Sequence, residues 1–227
     1  MLQVRDKMEN ELFELTGAVR ASLYPRLVWI LRDKAEEEKA KLTTMFDAHV
    51  GVLADFMQQA FEERPGGLGV EFFCRLHRLY FPAGYVIRAV GNDGVAVEML
   101  PGEWRKQVLH RHIMTFSQVG EIEQDFRQLL LDFNARRERA REDVLHFYFL
   151  FGNIHPFGDA NGTISALVCD VLCQRYSFRP LRLLNVRFKD KAFLFHLISL
   201  FENDRSLASL TKILVELDGF DRQTKGT

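Results

Sequence analysis

"GNIHPFGDANGTISALVCDV" (residues 152–171) places a hinge of His155, Pro156, Phe157, Gly158, Asp159, Ala160, Asn161 and Gly162 between two apolar, helix-like runs. Pro156 disfavours helical dihedrals at the residue before it, so the first helix should stop at His155 and leave that side chain on a loop. Asn161 is a preferred N-cap, and the apolar pattern Ile164, Leu167, Val168, Val171 begins just after it. The loop therefore feeds a helix N-terminus, where unbonded N–H groups and the helix dipole favour an anion. Gly158, Ala160 and Gly162 are small enough to let a phosphate reach the main chain. Asp159 is a hard oxygen ligand, suited to a magnesium ion shared with phosphate oxygens. A histidine beside such a site can take a proton from a hydroxyl near neutral pH. Singly, each residue has a plainer role: a loop histidine, a turn aspartate, a helix cap, a core phenylalanine. Their order in one loop is what points to chemistry.

Outside this stretch the chain has 227 residues, room for one or two domains. With 47% hydrophobic and 27% charged residues it has the composition of a globular protein, not a disordered one. A formal charge of -1, without a basic stripe interleaved with aromatics, gives no footprint for nucleic acid. Cys74, Cys169 and Cys173 cannot all pair, and Cys169 and Cys173 read as small apolar fillers of one helix face rather than a metal pair. A reduced, cytoplasmic setting fits that usage. The N-terminus mixes charges from the start and lacks a signal peptide's apolar core, so a signal-free export route stays open. "LVWIL" (27–31) is far too short to span a bilayer.

Residues 3–63 read as helices, with Leu12, Leu15, Val19 and Leu23 at helical spacing and Pro25 starting or kinking a second helix. "RPGGLG" (64–69) is the strongest breaker and marks a boundary. This gives an N-terminal helical region at 1–64, a main domain at 70–218 and a tail at 219–227. "VEFFCRLHRLYFP" predicts a short helix, and "YVIRAV-GNDG-VAVEML" alternates about a turn as a hairpin does. "KQVLHRHIMTF" predicts a second extended segment. Further helices are expected around Phe126–Phe133 and over 138–152, 161–177, 189–202 and 205–218. The fold class is mostly α, a helical bundle with one or two small hairpins.

"HPFGDANG" resembles the signature of Fic-domain proteins, HPFx[DE][AG]N[GK]RxxR. "LHRLYFP" followed by "PGEWR" is similar to that family's upstream helix and its Gly-x-x-Arg turn, and "KAFLFHLISLFENDRSLASL" to its closing helix pair. The resemblance spans roughly residues 70–218. It implies a helical bundle with a β-hairpin flap, and an activity that moves AMP from ATP onto a Ser, Thr or Tyr hydroxyl of a protein. It implies His155 as general base, Asp159 as Mg2+ ligand, and Pro156 and Phe157 as the anchor of the loop in the core. Gly158, Ala160, Asn161, Gly162 and Thr163 would line the donor phosphates. A flap around Lys106 to Phe116, with Lys106, Val108, Leu109, His110 and Ile113, would align the target segment by strand addition.

Two departures bear on the donor. Thr163 and Ala166 stand where the signature has arginines that grip the phosphate chain, and losing two bidentate donors should weaken ATP binding. The family's inhibitory motif [ST]xxxE[GN] is also unmatched, since Ser117–Glu121 is followed by Ile122. Three functions stay open. One is a nucleotidyltransferase that draws a cation from elsewhere, such as Arg105 or Lys189. The second is a transferase using another NTP or a CDP-linked donor. The third is an inactive binding or regulatory protein of the same fold.

Overall fold

The computed structural model describes residues 2–63, 68–110 and 114–225, with side chains from Glu14 to Arg222. Helix α6 (Asn161–Arg175) organises it, because every residue from Thr163 to Cys173 is buried. A helix that is apolar all round must be covered all round. Its cover comes from α1 (Leu2–Leu31), α5 (Arg141–Ile154) and the short α7 (Leu183–Lys189). Cys169 and Cys173 sit fully buried as free thiols in this helix, and burial pushes Cys173 up to about 12, so both stay protonated fillers.

Helix α2 (Glu36–Glu63) packs on α1, and α3 (Val70–Tyr80) on α2 and α4 (Ile122–Ala135). Glu36, Glu37 and Glu38 open α2 where the helix dipole favours negative charge. Helix α8 (Lys191–Asn203) begins at an N-cap, Asp190, whose carboxylate accepts the Phe193 N–H at 2.9 Å. Helix α9 (Leu207–Lys225) lies on α5 and α8. Strands β1 (Ile87–Val90) and β2 (Ala96–Met99) form an antiparallel hairpin, Ile87 opposite Met99 and Val90 opposite Ala96. The class is therefore mostly helical with one small hairpin, as the periodicities predict. Among the described residues no helix is long and apolar enough to cross a membrane.

Three expectations need correction. Pro25 does not begin a helix: α1 runs through it and ends at Leu31, with the break at residues 32–35. Proline removes one backbone hydrogen bond, but the stripe Leu15, Val19, Leu23, Leu27, all buried, continues past it and holds the helix to its neighbours. Of the extended segment expected over "KQVLHRHIMTF", residues 106–110 form no strand and Met114 takes part only in an isolated bridge, while 111–113 lie outside the described residues. Residues 106–110 are tied to the hairpin turn instead, Asn92 N–H donating to Val108 O at 2.8 Å and His110 N–H to Asn92 Oδ1 at 2.8 Å. Helix α7, seven residues, carries no expected signal at all. The breaker residues 64–67 lie outside the described residues.

Candidate active site

His155 closes α5 in the left-handed region, φ 50° and ψ 59°, with its N–H bonded to Phe151 O at 2.9 Å. That turn is what takes the chain out of the helix at the residue before Pro156. The ring places Nδ1 3.3 Å from Gly152 O, an oxygen that can only accept. Nδ1 is therefore the nitrogen placed to donate, and in the neutral ring Nε2 would hold the lone pair that a general base requires. Phe116 meets the ring edge-on, centroids 5.3 Å apart.

The loop after His155 is held by its carbonyls. Arg105, buried to 1% exposure, donates Nε to His155 O at 2.8 Å and its main-chain N–H to Pro156 O at 2.8 Å. Its two terminal nitrogens reach Gln107 O, Ser117 O and Ile154 O. Asn161 clasps Phe157 from both sides, Oδ1 accepting its N–H at 2.9 Å and Nδ2 donating to its carbonyl at 2.7 Å. Gln107 Nε2 donates to Gly158 O at 3.0 Å. His77, from α3, accepts the Gly102 N–H on Nδ1 at 2.7 Å, so Nε2 carries the hydrogen that Asp159 O accepts at 3.1 Å. Phe157 is fully buried, stacked on His77 at 4.1 Å and on Trp104 at 5.8 Å.

Every carbonyl from Ile154 to Ala160 thus has a donor, the last bonded by Thr163 and Ile164 N–H. The N–H groups behave differently. Those of Asp159, Asn161 and Gly162 donate to no acceptor among the described residues. A loop with its acceptors turned into the fold and its donors left over is a receptor for an anion.

Burial pushes His77 down to about 4, which keeps it neutral at pH 7. Since the unfolded chain titrates near 6.5, only the unfolded state gains this proton between those values. Stability should be complete above about pH 6.5 and fall as pH drops toward 4, with a slope contribution of up to about 1.4 kcal/mol per pH unit. Urea unfolding of wild type and His77→Gln across pH 4 to 7 checks this. A wild-type slope no steeper than the variant's would remove His77 as the cause.

The expected site residues divide sharply. His155, Pro156, Phe157, Gly158, Asp159, Ala160, Asn161, Gly162 and Thr163 do come together in one loop and the first turn of α6. Asn161 is not the N-cap, however: that position belongs to Ala160, held at φ 59°. Its carboxamide, 3% exposed, is engaged with Phe157 rather than turned outward. Gly158 is approached by the hairpin, since a Cβ there would meet Met99 Cε at 2.5 Å and Ile87 Cγ2 at 3.1 Å. Thr163 and Ala166 are 6% and 1% exposed. Asp159 is exposed, and its Oδ1 accepts the Ala160 N–H at 2.6 Å.

In the flap region Val108, Leu109 and His110 line a cleft of about 200 Å³ with Phe116 and Ser117, next to the His155 ring. Lys106 is exposed and paired with Glu103 at 3.0 Å. Ile113 and His112 lie outside the described residues. Arg105 is unavailable as a substitute phosphate ligand, because its guanidinium is fully engaged with carbonyls. Lys189 lines a separate cleft of about 430 Å³ with Asp170 and Arg182.

Two arginines that sequence reading missed stand at the loop. A Cβ built on Gly162 would overlap Arg187 Nη1, so the α7 guanidinium lies directly on the first turn of α6. Arg26, from α1, lies over the Tyr80 ring at 4.8 Å and close enough to Asp159 and Arg187 for their charges to act on it. Burial lowers its pKa, Asp159 opposes that shift, and Arg187 adds to it. No local motif marks either residue, since each reaches the loop from a different part of the chain.

Among the described residues no three His, Cys, Asp or Glu side chains cluster as a metal set. A magnesium ion would thus be held by Asp159 together with donor phosphates, a division this ion commonly adopts.

A family model described as Fic/DOC family matches residues 68–173. No curated protein matches the chain. Among solved structures, a Fic domain-containing signalling protein from Bacteroides thetaiotaomicron aligns over 95% of this chain and 88% of its own, at 15% identity and TM-score 0.42.

Proposed function

We propose, from the premise that residues 68–173 belong to the Fic/DOC family, that this protein transfers a phosphate-bearing group from a nucleotide donor onto a protein hydroxyl. Membership supports a protein-modifying transferase in general terms, and the residues supply the particulars. The observation that carries the reading is the pairing, in one loop, of a histidine whose Nδ1 is placed to donate to Gly152 O with backbone N–H groups left over for an anion.

In the step, the hydroxyl oxygen of the target attacks a donor phosphorus. A new P–O bond forms, and the P–O bond to the leaving group breaks with its electron pair going to the departing phosphate. The hydroxyl proton passes to His155 Nε2. The N–H groups at the start of α6 face the charge that develops on the phosphoryl oxygens, where fixed dipoles act without reorganising. Asp159 would hold a magnesium ion, which would supply Lewis-acid charge to the donor. The cleft of Val108, Leu109 and His110 beside the His155 ring is the place for the target segment.

Burial of Thr163 and Ala166 favours a donor other than ATP, such as a CDP-linked compound, because no motif arginine serves a terminal phosphate. The test is intact-mass measurement of the protein and of candidate targets after incubation with ATP, GTP, CTP, UTP or CDP-choline and Mg2+. A mass gain equal to a transferred phosphate-bearing group is expected with one donor, self-labelling included. No adduct from any of the five, on itself or in a proteome mixture, would sink the proposal.

A further inference from the structure

We infer that Arg187 of α7 and Arg26 of α1 supply the cationic grip on the donor's diphosphate that positions 163 and 166 do not provide. The inference rests on the transferase reading for its donor, and on this chain's own geometry for the residues.

Arginine at position 163 or 166 would enter a helix face that is closed on all sides, with Thr163 6% and Ala166 1% exposed. The covering elements are α1 and α7, and these carry the two arginines to the same end of α6 from outside. Trp29 of α1 and Phe188 of α7 meet with ring centroids 6.2 Å apart, one turn from Arg26 and one residue from Arg187, and fix the two helices to each other. Arg187 is exposed and lies on Gly162, whose N–H has no acceptor among the described residues. Neither guanidinium donates a hydrogen bond or forms an ion pair of salt-bridge length among the described residues, although Asp159 offsets part of the charge around Arg26. A side chain at 162 would displace the Arg187 guanidinium from this contact. Arg187 on Gly162, the first-turn N–H groups, and Arg26 close enough to Asp159 and Arg187 for their charges to act on it all offer donors, and a diphosphate offers the matching acceptors.

The test is calorimetric titration of the full chain with pyrophosphate, ADP and CDP, for wild type, Arg187→Ala, Arg187→Lys, Arg26→Met and Lys189→Ala. Arg26→Met keeps the packing over Tyr80, and circular dichroism checks each fold. Each arginine variant should bind pyrophosphate about ten- to a hundredfold more weakly. Lysine at 187 should recover only part of the loss, and Lys189→Ala, on the same helix but lining another cleft, should bind as wild type does. Equal losses for pyrophosphate and the nucleotides identify the diphosphate as the group gripped. Affinity unchanged in both arginine variants, or raised in Arg187→Ala as when a plug is removed, would overturn the inference, as would a wild type that binds none of the three. Diphosphate binding that depends on both arginines, in a protein that labels nothing, would leave the inference standing and remove the transferase reading.

Discussion

Replacing His155 with alanine should lower transfer by about a hundred- to ten-thousandfold, the usual contribution of a positioned general base. The fold should hardly change. The imidazole approaches Gly152 O at 3.3 Å and meets Phe116 edge-on, while the loop itself is fixed through the His155 main chain by Arg105 and Phe151. Alanine retains the left-handed conformation at roughly the strain that histidine already bears, about 1 kcal/mol. His155→Asn is the better control, because asparagine visits that region readily and cannot act as a base at neutral pH. Both variants should unfold within about 1 kcal/mol of wild type and both should be inactive. Transfer within a few-fold of wild type in either, measured as initial rate of labelling, would displace His155 from this role.

Arg105→Ala should cost about 3–5 kcal/mol of folding stability, among the largest losses available to a single substitution here. Its guanidinium joins three segments of chain: the end of α5 through Ile154 and His155, its own turn through Gln107, and the approach to α4 through Ser117. Truncation leaves these carbonyls without the donor that holds them, at a side chain that is 1% exposed. Arg105→Lys should recover little, since one ammonium cannot span acceptors that a planar fork reaches together. Because the His155 carbonyl is among the bonds lost, kcat should fall along with stability in any fraction that still folds. Urea unfolding gives the stability directly. A loss below about 1 kcal/mol would mean that the carbonyls find other donors.

The position of the site was legible in the chain. Proline after histidine sets a helix end, small residues and asparagine set a loop, and the apolar spacing from Ile164 sets a helix start. These are local effects, decided by dihedral preference and periodicity within a few residues, and the structure keeps them all within one residue. The same holds for α3, the hairpin and the buried cysteines. Asn161 shows where locality begins to fail. Its propensity marks a cap, but the side chain turns back to clasp Phe157, because two main-chain groups buried there outweigh one exposed helix donor.

What the tertiary structure alone decided is the electrostatics of the loop. The sequence determines that a histidine and a carboxylate share a loop at a helix start, and that Thr163 and Ala166 stand where the resembled signature has arginines. It leaves open where positive charge would come from, and Arg105 and Lys189 were the residues it offered. Packing assigns them elsewhere: Arg105 to carbonyls, Lys189 to another cleft. Packing brings Arg26 and Arg187 instead, from helices separated by more than a hundred residues of chain. Neither spacing nor composition encodes that meeting. It follows from burying α6 on every side, which forces α1 and α7 against it and carries their long side chains to its N-terminus.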